Sequence, residues 1–526
     1  MKRQPDWPAL LLLIAVFFGG LVRFMPALVT RFPLNDGGMF YTMAQELSAN
    51  GYALPTTTSY NGLDLPFAYP PLGLYLASLL ADVGRIPPFA VFLWLPPILA
   101  TLAIPAFYLF SRALLADKLR ASLATLFFAL TPGSYDWHLM GGGVTRALGF
   151  LFLLLAAFYV LRFFQRQQSD IHFRSDCHFA LAILFCSLAV LSHPEVGLQT
   201  AGLCAVLWLF FGRTWRGTLD ATFVVLGVFL LTAPWWGTVI SQQGLAPFLS
   251  ALQTGQHATI DWSYLYLSLF GSGEFIPLLL VLRFAGLFYA IWKREYLLLS
   301  LLFIPAVLDP RSAASIALLA FSMMSALGFL DLLPTMKKLY GGELRPILTY
   351  RLGAGTLLLV AFILFVECGL LNYRLVNTTL TAGERSTMGW LNDNLPPDQN
   401  FILVTGRTYS MSDPAQEWFP VFSGQHSQST LQGLEWTLGA EFTDRLNDLA
   451  VLQACDDFSC VEKFAARTGL AYDYIWVSIP TIRTNPEQNA RGNQLADSIQ
   501  SSNQFSVVFD ELLSSERIVI FQRQNK

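Results

Sequence analysis

The stretch that decides the fold is PALLLLIAVFFGGLVRFMPALVTRFPLNDGGMFYTMAQEL, residues 8–47. Its first part is an apolar run long enough to cross a bilayer, which takes about 20 residues of helix. Lys2 and Arg3 precede this run and no small-x-small cleavage site follows it, so we expect a retained first span with a cytoplasmic N-terminus rather than a signal peptide. The second part places Asp36 between the span and a helix-like segment.

The composition of the whole chain is that of a protein with many membrane spans. Of its 526 residues, 54% are hydrophobic and 13% are charged, whereas soluble domains carry about 25% charged residues. Phe and Trp occur 43 and 13 times, as is typical of lipid-facing surfaces and interfacial belts. The formal net charge of −3 argues against a nucleic-acid partner.

Further apolar segments predict a mainly α-helical, polytopic membrane protein of about eleven transmembrane helices. Basic residues fall in every second connection, which is the positive-inside pattern, so the alternate connections are expected to face outward. The apolar segments lie at about 8–28, 88–115, 119–132, 147–164, 179–192, 196–211, 219–240, 275–292, 296–308, 312–333 and 352–371. The outward connections are then 29–87, 133–146, the turn near 193, 241–274 and the turn near 309.

An odd number of spans places the C-terminal part of the chain outside the cytoplasm. We therefore expect a transmembrane module at residues 1–376 and an extracytoplasmic domain at residues 377–526. In the second part, ERSTMGWLNDNLPPDQNFILVTG predicts a helix, a turn and a strand, and YDYIWVS and SERIVIFQ predict further strands. This composition is typical of a small α/β domain.

Two of the six cysteines, Cys455 and Cys460, lie in the sequence ACDDFSC of this domain. Their spacing allows a disulfide, and an extracytoplasmic domain would permit one. Two free thiols are the alternative. A zinc site would need two more ligands nearby, and the sequence shows none. The other four cysteines lie singly in or beside apolar helices, where packing explains them.

The first outward connection is expected to hold two helices at the membrane surface. The segment MFYTMAQELSANG, residues 39–51, repeats apolar residues at helical spacing, and residues 66–84 form a second apolar segment of marginal length for a span. Asp36 would lie at the start of the first helix. It can be the N-cap, because Asp is a favoured capping residue, or a catalytic carboxylate, and the two roles are compatible.

A second outward connection reads TPGSYDWHLMGGGVTRALG and contains Asp136, three consecutive glycines and Arg146. The glycines, residues 141–143, would let backbone N–H groups approach a phosphate, with which Arg146 would then pair at the helix start. The alternative is a flexible hairpin with an interfacial arginine.

Two tight turns carry the remaining polar groups expected on the same side. LSHPEVGL contains His193 and Glu195, and LDPRSAAS contains Asp309 and Arg311. Polar groups are costly at such depth, which favours a functional role, and we expect His193 and Arg311 to contact a phosphate. The alternatives are a satisfied structural histidine and a local Asp–Arg pair.

The connection of residues 241–274 is long enough to be a lid or to bind an acceptor. It contains His257, Asp261 and Glu274, without a sharper motif. His257 and Asp261 are candidate residues of such an acceptor loop.

The order of these features resembles the GT-C superfamily of membrane glycosyltransferases, in the branch of protein O-mannosyltransferases and aminoarabinose transferases. The resemblance comprises one span, an outer loop that opens with an acidic residue, and two juxtamembrane helices. FAYPPLGLYLASLL, residues 67–80, is similar to a Pro-Leu-x-x-Tyr stretch of those enzymes. The likeness extends to residue 165 and is one of topology afterwards, while EWFPVFSGQHSQSTLQGLEW in the tail resembles uncharacterised bacterial members.

The resemblance implies that Asp36 acts as catalytic base or positions the acceptor, and that Asp136 is a second carboxylate. It also implies a polyprenyl-phosphate sugar donor. This chain departs from the family pattern at Asp36-Gly37, where Asp-Glu is common, and this weakens any carry-over of a metal site. Ala68-Tyr69 stand near the position of a family lysine, so that phosphate contact must come from elsewhere. No cofactor is assigned, and a divalent cation stays open.

The sequence therefore predicts a glycosyltransferase of the cell envelope, of hexosyltransferase type. It would move a sugar from a lipid-linked donor to a glycan, lipid or protein acceptor, with inversion at the anomeric carbon. A transporter or flippase of lipid-linked sugars and a non-catalytic membrane anchor are the alternatives. A transporter would carry ionisable groups near the midplane and show an internal repeat. Walker, dinucleotide-binding and HExxH motifs are absent from the sequence.

Overall fold

The computed structural model describes residues 6–167, 177–254, 278–340, 346–481, 485–513 and 516–524. Its N-terminal module is a helical bundle, in which each predicted apolar segment is a helix. The helices are α1 (Trp7–Thr30), α2 (Gly38–Ala49), α3 (Leu72–Asp82), α4 (Pro88–Leu115), α5 (Lys118–Ala129), α6 (Asp136–Leu139), α7 (Gly143–Gln167), α8 (Cys177–Ser192), α9 (Pro194–Phe211), α10 (Trp215–Gln243), α11 (Ala246–Gln253), α12 (Leu278–Lys293), α13 (Tyr296–Leu308), α14 (Pro310–Tyr340) and α15 (Pro346–Val376).

Seven helices of the described chain are long and apolar enough to cross a membrane: α1, α4, α7, α9, α10, α14 and α15. The other four predicted spans, α5, α8, α12 and α13, are helices of 12, 16, 16 and 13 residues. Of these, α5 and α13 are shorter than the roughly 20 residues that a straight crossing needs, whereas α8 and α12 are described only from residues 177 and 278, directly after residues that the structure does not describe. The polytopic, mainly α-helical fold is confirmed.

Aromatic side chains fill the middle of the bundle. The buried rings of Phe107 and Phe128 stack with their centroids 4.5 Å apart, and Phe150 lies 6.1 Å from Phe128. Helix α10, in contrast, exposes apolar side chains such as Val225 and Leu230. Exposed apolar residues on a span are expected, because lipid tails are as apolar as the side chains themselves.

The C-terminal domain is built on a mixed sheet with helices on both faces. Its helices are α16 (Ala382–Asn394), α17 (Pro414–Ser423), α18 (Phe442–Gln453), α19 (Phe458–Thr468) and α20 (Pro486–Ser501). Strands β1 (Thr57–Thr58) and β2 (Leu65–Pro66) form a hairpin in the first connection, and β3 (Asn400–Val404), β4 (His426–Ser427), β5 (Tyr474–Pro480), β6 (Phe505–Leu512) and β7 (Glu516–Arg523) form the sheet, in the order β4-β3-β5-β7-β6. β4, β3 and β5 run parallel, and β7 is antiparallel to β5 and β6.

The central strand β5 is buried along nearly its whole length, and Ser478 is its one hydroxyl residue besides Tyr474. Successive residues of a strand point to opposite faces. Ile475 and Val477 join the apolar cluster covered by α18, α19 and α20, and Tyr474 and Trp476 join the cluster covered by α16 and α17. Strands buried on both faces have near-continuous apolar sequences. The expected small α/β domain is confirmed.

The C-terminal domain packs directly on the first connection of the transmembrane module. The side-chain amide of Asn61 donates to the carbonyl oxygen of Ser427 at 2.8 Å, and the Ser427 N–H donates back to Asn61 at 2.6 Å. The indole of Trp418 on α17 packs against Phe32, with ring centroids 5.2 Å apart. This packing brings α17 to the start of α2.

Candidate active site

The candidate active site lies at one end of the bundle, where the first connection meets the turn before α7. Asp36 follows α1 and is 7% exposed. Arg146 lies in the first turn of α7, and its Nη2 donates to both carboxylate oxygens of Asp36, at 2.9 and 2.8 Å. The two residues form a buried ion pair.

Asp36 is not the N-cap of α2, which corrects one of the two roles expected for it. The N-cap is Gly37, and no side chain of its own caps the helix. Gly37 has a φ of 132°, which L side chains rarely adopt. The Asp36 carboxylate accepts a hydrogen bond from the Gly142 N–H at 3.2 Å, beside its bonds from Arg146. It therefore faces α7 rather than the helix that follows it.

The glycine triplet before α7 shapes the Asp36 loop, which corrects the expectation that its amides approach a phosphate. The Gly141 N–H donates to the carbonyl oxygen of Leu34 at 2.7 Å, and the Gly142 N–H donates to Asp36. The Gly143 N–H donates within its own turn. All three amides already have acceptors inside the protein.

If the chain is the sugar transferase that its sequence predicts, Gly141→Ala is expected to lower the rate of sugar transfer by about 10²-fold, which is the loss that a misplacement of about 1 Å can cause. A Cβ at Gly141 would overlap the carbonyl oxygen of Asp36 and lie 3.1 Å from Cα of Gly37. Backbone atoms cannot rotate away as side chains do, so the loop must shift. Initial rates of the purified variant measure this, with Gly237→Ala as control, since no atom lies within 4 Å of a Cβ there. Equal rates for both variants would contradict the packing role.

Arg146 has one face covered by an indole, and its buried Nε has no partner in the described part of the chain. Its Cζ lies 4.1 Å from the ring centroid of Trp137, which is 38% exposed. The Nε of Arg146 is buried and has no hydrogen-bond acceptor among the described residues. A buried donor without an acceptor costs free energy, so an oxygen of an anion would be stabilised at this position.

Asp136 does not bond to Asp36 in the described parts of the chain. Its Oδ1 accepts the N–H of Trp137 at 2.7 Å, within its own short helix α6. Burial raises the pKa of Asp136 to about 6. Its role as a second carboxylate stays a prediction.

His193 precedes α9 and is buried beside Tyr69, with ring centroids 6.0 Å apart. The Tyr69 hydroxyl lies 3.2 Å from Oγ1 of Thr145. Burial lowers the pKa of His193 well below its ordinary value, and the charges of Arg146 and Arg311 act in the same direction. The imidazole is therefore neutral. Its Nδ1 is buried and has no hydrogen-bond partner within the described ranges.

Arg311 lies in the first turn of α14 and pairs with Glu195 of α9, Nη2 to Oε1, at 2.7 Å. Its Nε is 3.9 Å from Oδ1 of Asp309, so the expected local pair is present but is the longer of the two. The side chain of Arg311 is 37% exposed. Arg311 and Arg146 both act on the pKa of His193, so each arginine lies within electrostatic range of the imidazole.

Two acidic residues of the site, Glu417 and Glu435, are missing from the sequence-based prediction. Burial and then the charge of Asp36 raise the pKa of Glu417 to about 8. Burial also raises the pKa of Glu435, while Arg311 lowers it. Each of the two directly precedes a tryptophan in an apolar segment. Glutamate is rarely buried in proteins, so a glutamate within an apolar segment is a sequence signal for a buried polar group. This signal could have identified both residues.

The remaining predicted residues lie apart from this cluster or outside the described residues. His257 and Asp261 belong to the latter group. Cys455 and Cys460 form a disulfide between α18 and α19, with a Cα–Cα distance of 5.7 Å. Among the residues that the structure describes, no group of three His, Cys, Asp or Glu side chains could hold a metal ion.

Three solved structures have a fold similar to that of this chain. ArnT from Cupriavidus metallidurans bound to undecaprenyl phosphate aligns over 98% of this chain and 98% of its own, with 14% identity and a TM-score of 0.56. The same enzyme in the apo state aligns over 98% and 97%, with 16% identity and a TM-score of 0.54. Arabinofuranosyltransferase AftD from Mycobacteria aligns over 100% of this chain and 40% of its own, with 14% identity and a TM-score of 0.50.

These identities are low, so the likeness shows the fold alone. No protein-family model matches the sequence, and no curated protein matches it either. The resemblance to GT-C glycosyltransferases is confirmed at the level of the fold over nearly the full chain.

Proposed function

We propose that this chain, which has the fold of the GT-C glycosyltransferases, moves a sugar from a polyprenyl-phosphate donor to an acceptor on the non-cytoplasmic side of the membrane. The observation that carries the proposal is the buried Asp36–Arg146 pair at the end of the bundle, beneath the C-terminal domain. It joins a carboxylate that can accept a proton to a cation that can hold a phosphate. The fold likeness to ArnT with its bound undecaprenyl phosphate supports the choice of donor.

Arginine is suited to the phosphate of such a donor. Its guanidinium is permanently charged and presents several N–H donors in one plane. In the free protein Arg146 is engaged by Asp36 and Arg311 by Glu195. An arriving phosphate competes for both cations, and the buried Nε of Arg146, which has no acceptor among the described residues, offers one further donor once the guanidinium has turned from Asp36. Neutral His193 can add one hydrogen bond but no charge.

The exchange of partners at Arg146 prepares the base. Once the phosphate takes the guanidinium, the Asp36 carboxylate is released to accept a proton. The acceptor hydroxyl then attacks the anomeric carbon, the bond from that carbon to the phosphate oxygen breaks, and the hydroxyl proton passes to Asp36. The polyprenyl phosphate leaves with both electrons of the broken bond, held by Arg146. A single displacement of this kind inverts the anomeric centre.

A transporter of lipid-linked sugars is the less favoured function. In a transporter, charged side chains within the membrane spans would line the substrate pathway near the middle of the bilayer. Arg23 of α1 is such a group, yet its guanidinium is bound to protein atoms. It donates to the carbonyl oxygens of Gly19 and Ala129, at 2.8 and 2.6 Å, and to Ser134 at 3.0 Å. A structural role explains these contacts.

The test is donor turnover by the purified chain in lipid vesicles. A panel of radiolabelled polyprenyl-phosphate sugars is added, and extracts of the cell envelope serve as the acceptor. We expect label to pass from lipid to a water-soluble or larger product, with release of polyprenyl phosphate. Mass spectrometry of envelope glycans, from cells with and without the chain, identifies the product. Movement of intact donor between leaflets without cleavage would favour the transporter instead.

A further inference from the structure

Helix α17 carries Glu417 from the C-terminal domain onto the start of α2. Glu417 is 5% exposed, and its Oε1 accepts the N–H groups of Gly37 and Met39, both at 3.2 Å. The first N–H groups of any helix have no partner within that helix. Since the N-cap Gly37 has no side chain, the cap that α2 needs comes from a residue 380 positions further along the chain.

Contacts of the neighbouring backbone hold Glu417 in this position. Its carbonyl oxygen accepts the hydroxyl of Tyr60 at 2.7 Å, and Nε1 of Trp418 donates to the carbonyl oxygen of Asn35 at 3.0 Å. A side chain at Gly38 would overlap the Glu417 carbonyl oxygen, so the glycine permits this close approach. The backbone of Glu417 can therefore leave the start of α2 only if α17 itself moves.

The groups that face Glu417 are acidic. Asp36 and Glu435 raise the pKa of its carboxyl, after burial, and Tyr60 lies against its backbone. No ion pair forms at Glu417 within the described ranges. The basic side chains Arg385 and His426, on elements near α17, have other partners: Arg385 lies over the Phe32 ring at 4.7 Å, and Nε2 of His426 lies 3.2 Å from Oδ1 of Asp398.

We propose that Glu417 is the positioning residue of the candidate active site, which caps α2 from the C-terminal domain and thereby leaves the Asp36 carboxylate to Arg146. This inference rests on the proposed function. It makes sugar transfer depend on a docked C-terminal domain, because the cap and the base belong to different parts of the chain.

The physical reason is a competition for the start of α2. Asp is among the best capping residues, and Asp36 is next to the N-cap position. The positive end of the helix attracts a carboxylate. If Glu417 is absent, Asp36 is the nearest acidic side chain that can take its place, and it would then turn away from Arg146. The base would be lost although no atom of it had been changed.

Three variants test this role. In Glu417→Ala we expect kcat to fall by about 10–10²-fold through loss of orientation, while the donor KM stays within about threefold because Arg146 is unchanged. Glu417→Gln keeps an oxygen that accepts both N–H groups, so its kcat at pH 7 should stay within about threefold of the wild type. Glu441→Ala, which removes an exposed acid of the same domain, is the matched control.

The pH profile separates positioning from mere stability. The folded protein keeps the Glu417 proton up to about pH 8, against an ordinary pKa of 4.5. Raising the pH through 8 therefore adds a second negative charge beside Asp36, and the donor KM of the wild type should rise there through repulsion of the phosphate. Glu417→Gln cannot ionise, so its KM should stay flat over the same range.

Hydrogen exchange supplies a readout that needs no activity. In Glu417→Ala we expect the amides at the start of α2 to exchange about fivefold to tenfold faster, as loss of a cap implies. Faster exchange with an unchanged kcat would overturn the positioning role alone, and unchanged exchange would overturn the cap. A wild-type chain that transfers no sugar from any donor would overturn the proposed function, and the role of Glu417 in it, whatever the exchange shows.

Discussion

Replacing Asp36 by Asn is expected to lower kcat for sugar transfer by about 10²–10⁴-fold, which is the usual contribution of a general base. The Asn amide has nearly the same shape as the carboxylate but cannot take up the proton of the acceptor hydroxyl. Both oxygens of Asp36 accept from Arg146 in a buried setting, so the exchange removes charge without opening a cavity.

The donor KM should not follow kcat. In the free protein Asp36 occupies the guanidinium of Arg146. With Asn in its place, a donor phosphate no longer has to displace a carboxylate. We expect the donor KM of Asp36→Asn to fall, or to stay within about threefold of the wild type. Initial rates over a series of donor concentrations, in lipid vesicles, measure both constants.

Asp64→Asn is the matched control for this prediction. Asp64 is an exposed carboxylate of the same connection, and its φ of 44° is a left-handed conformation that Asn also tolerates. Its rates should stay within about twofold of the wild type, as is usual for surface changes. If Asp36→Asn transfers sugar as fast as Asp64→Asn, Asp36 is not the base.

Unfolding of the Asp36→Asn variant would also abolish sugar transfer, and a double variant distinguishes it from loss of the base. Removing one partner of a buried ion pair costs about 3–5 kcal/mol, because the other charge stays buried without compensation. The double variant Asp36→Asn/Arg146→Met removes that unpaired charge. If Asp36→Asn only unfolds the protein, the double variant should restore the thermal stability, yet it should still not transfer sugar.

Replacing Arg407 by Met is expected to destabilise the C-terminal domain by about 3 kcal/mol, the lower end of the range for a broken buried pair. Nη1 of Arg407 donates to Glu384 at 2.9 Å and to Asp413 at 2.8 Å, and both carboxylate side chains are fully buried. The arginine itself is 31% exposed, and solvent at the guanidinium is the reason for the lower figure. Without it, two neighbouring carboxylates remain buried with no cation bonded to them.

The loss should reach the active site through α17. Asp413 is the N-cap of α17, and its Oδ1 accepts the N–H of Ala415 at 3.1 Å. The same carboxylate is bound by Arg407 and by the Thr405 hydroxyl. We therefore expect transfer to fall together with stability in Arg407→Met, because the helix that carries Glu417 loses its anchor.

Protease sensitivity and hydrogen exchange of the C-terminal domain, measured in the full-length protein, check this prediction. Arg517→Met is the control. Arg517 pairs with Asp510 at 2.7 Å, but both side chains are more than a third exposed. Surface pairs of this kind contribute about 0–1 kcal/mol. Equal protection in the two variants would show that the Arg407 network does not hold the domain.

The sequence by itself determined the fold class of the protein, and it predicts that the polar groups gather on one side of the membrane. Apolar runs and alternating basic clusters are local signals, and the bilayer imposes them on every span. They were sufficient to predict eleven helical segments and an α/β tail. They also sufficed to select Asp36, Arg146, His193 and Arg311, which the fold brings into one region.

Only the tertiary structure decided which partner each of these groups has. By sequence Asp36 is compatible with capping and with catalysis; in the fold it bonds to Arg146, 110 residues away, and Glu417 takes the capping position. By sequence, the glycine triplet is compatible with phosphate binding. In the structure, two of its amides donate to Leu34 and Asp36 instead. Hydrogen-bond partners are set by the path of the chain in space. Sequence spacing does not encode contacts across 380 residues. The contact of Glu417 with α2 could therefore be identified only from the packing of α17 against α2 in the structure.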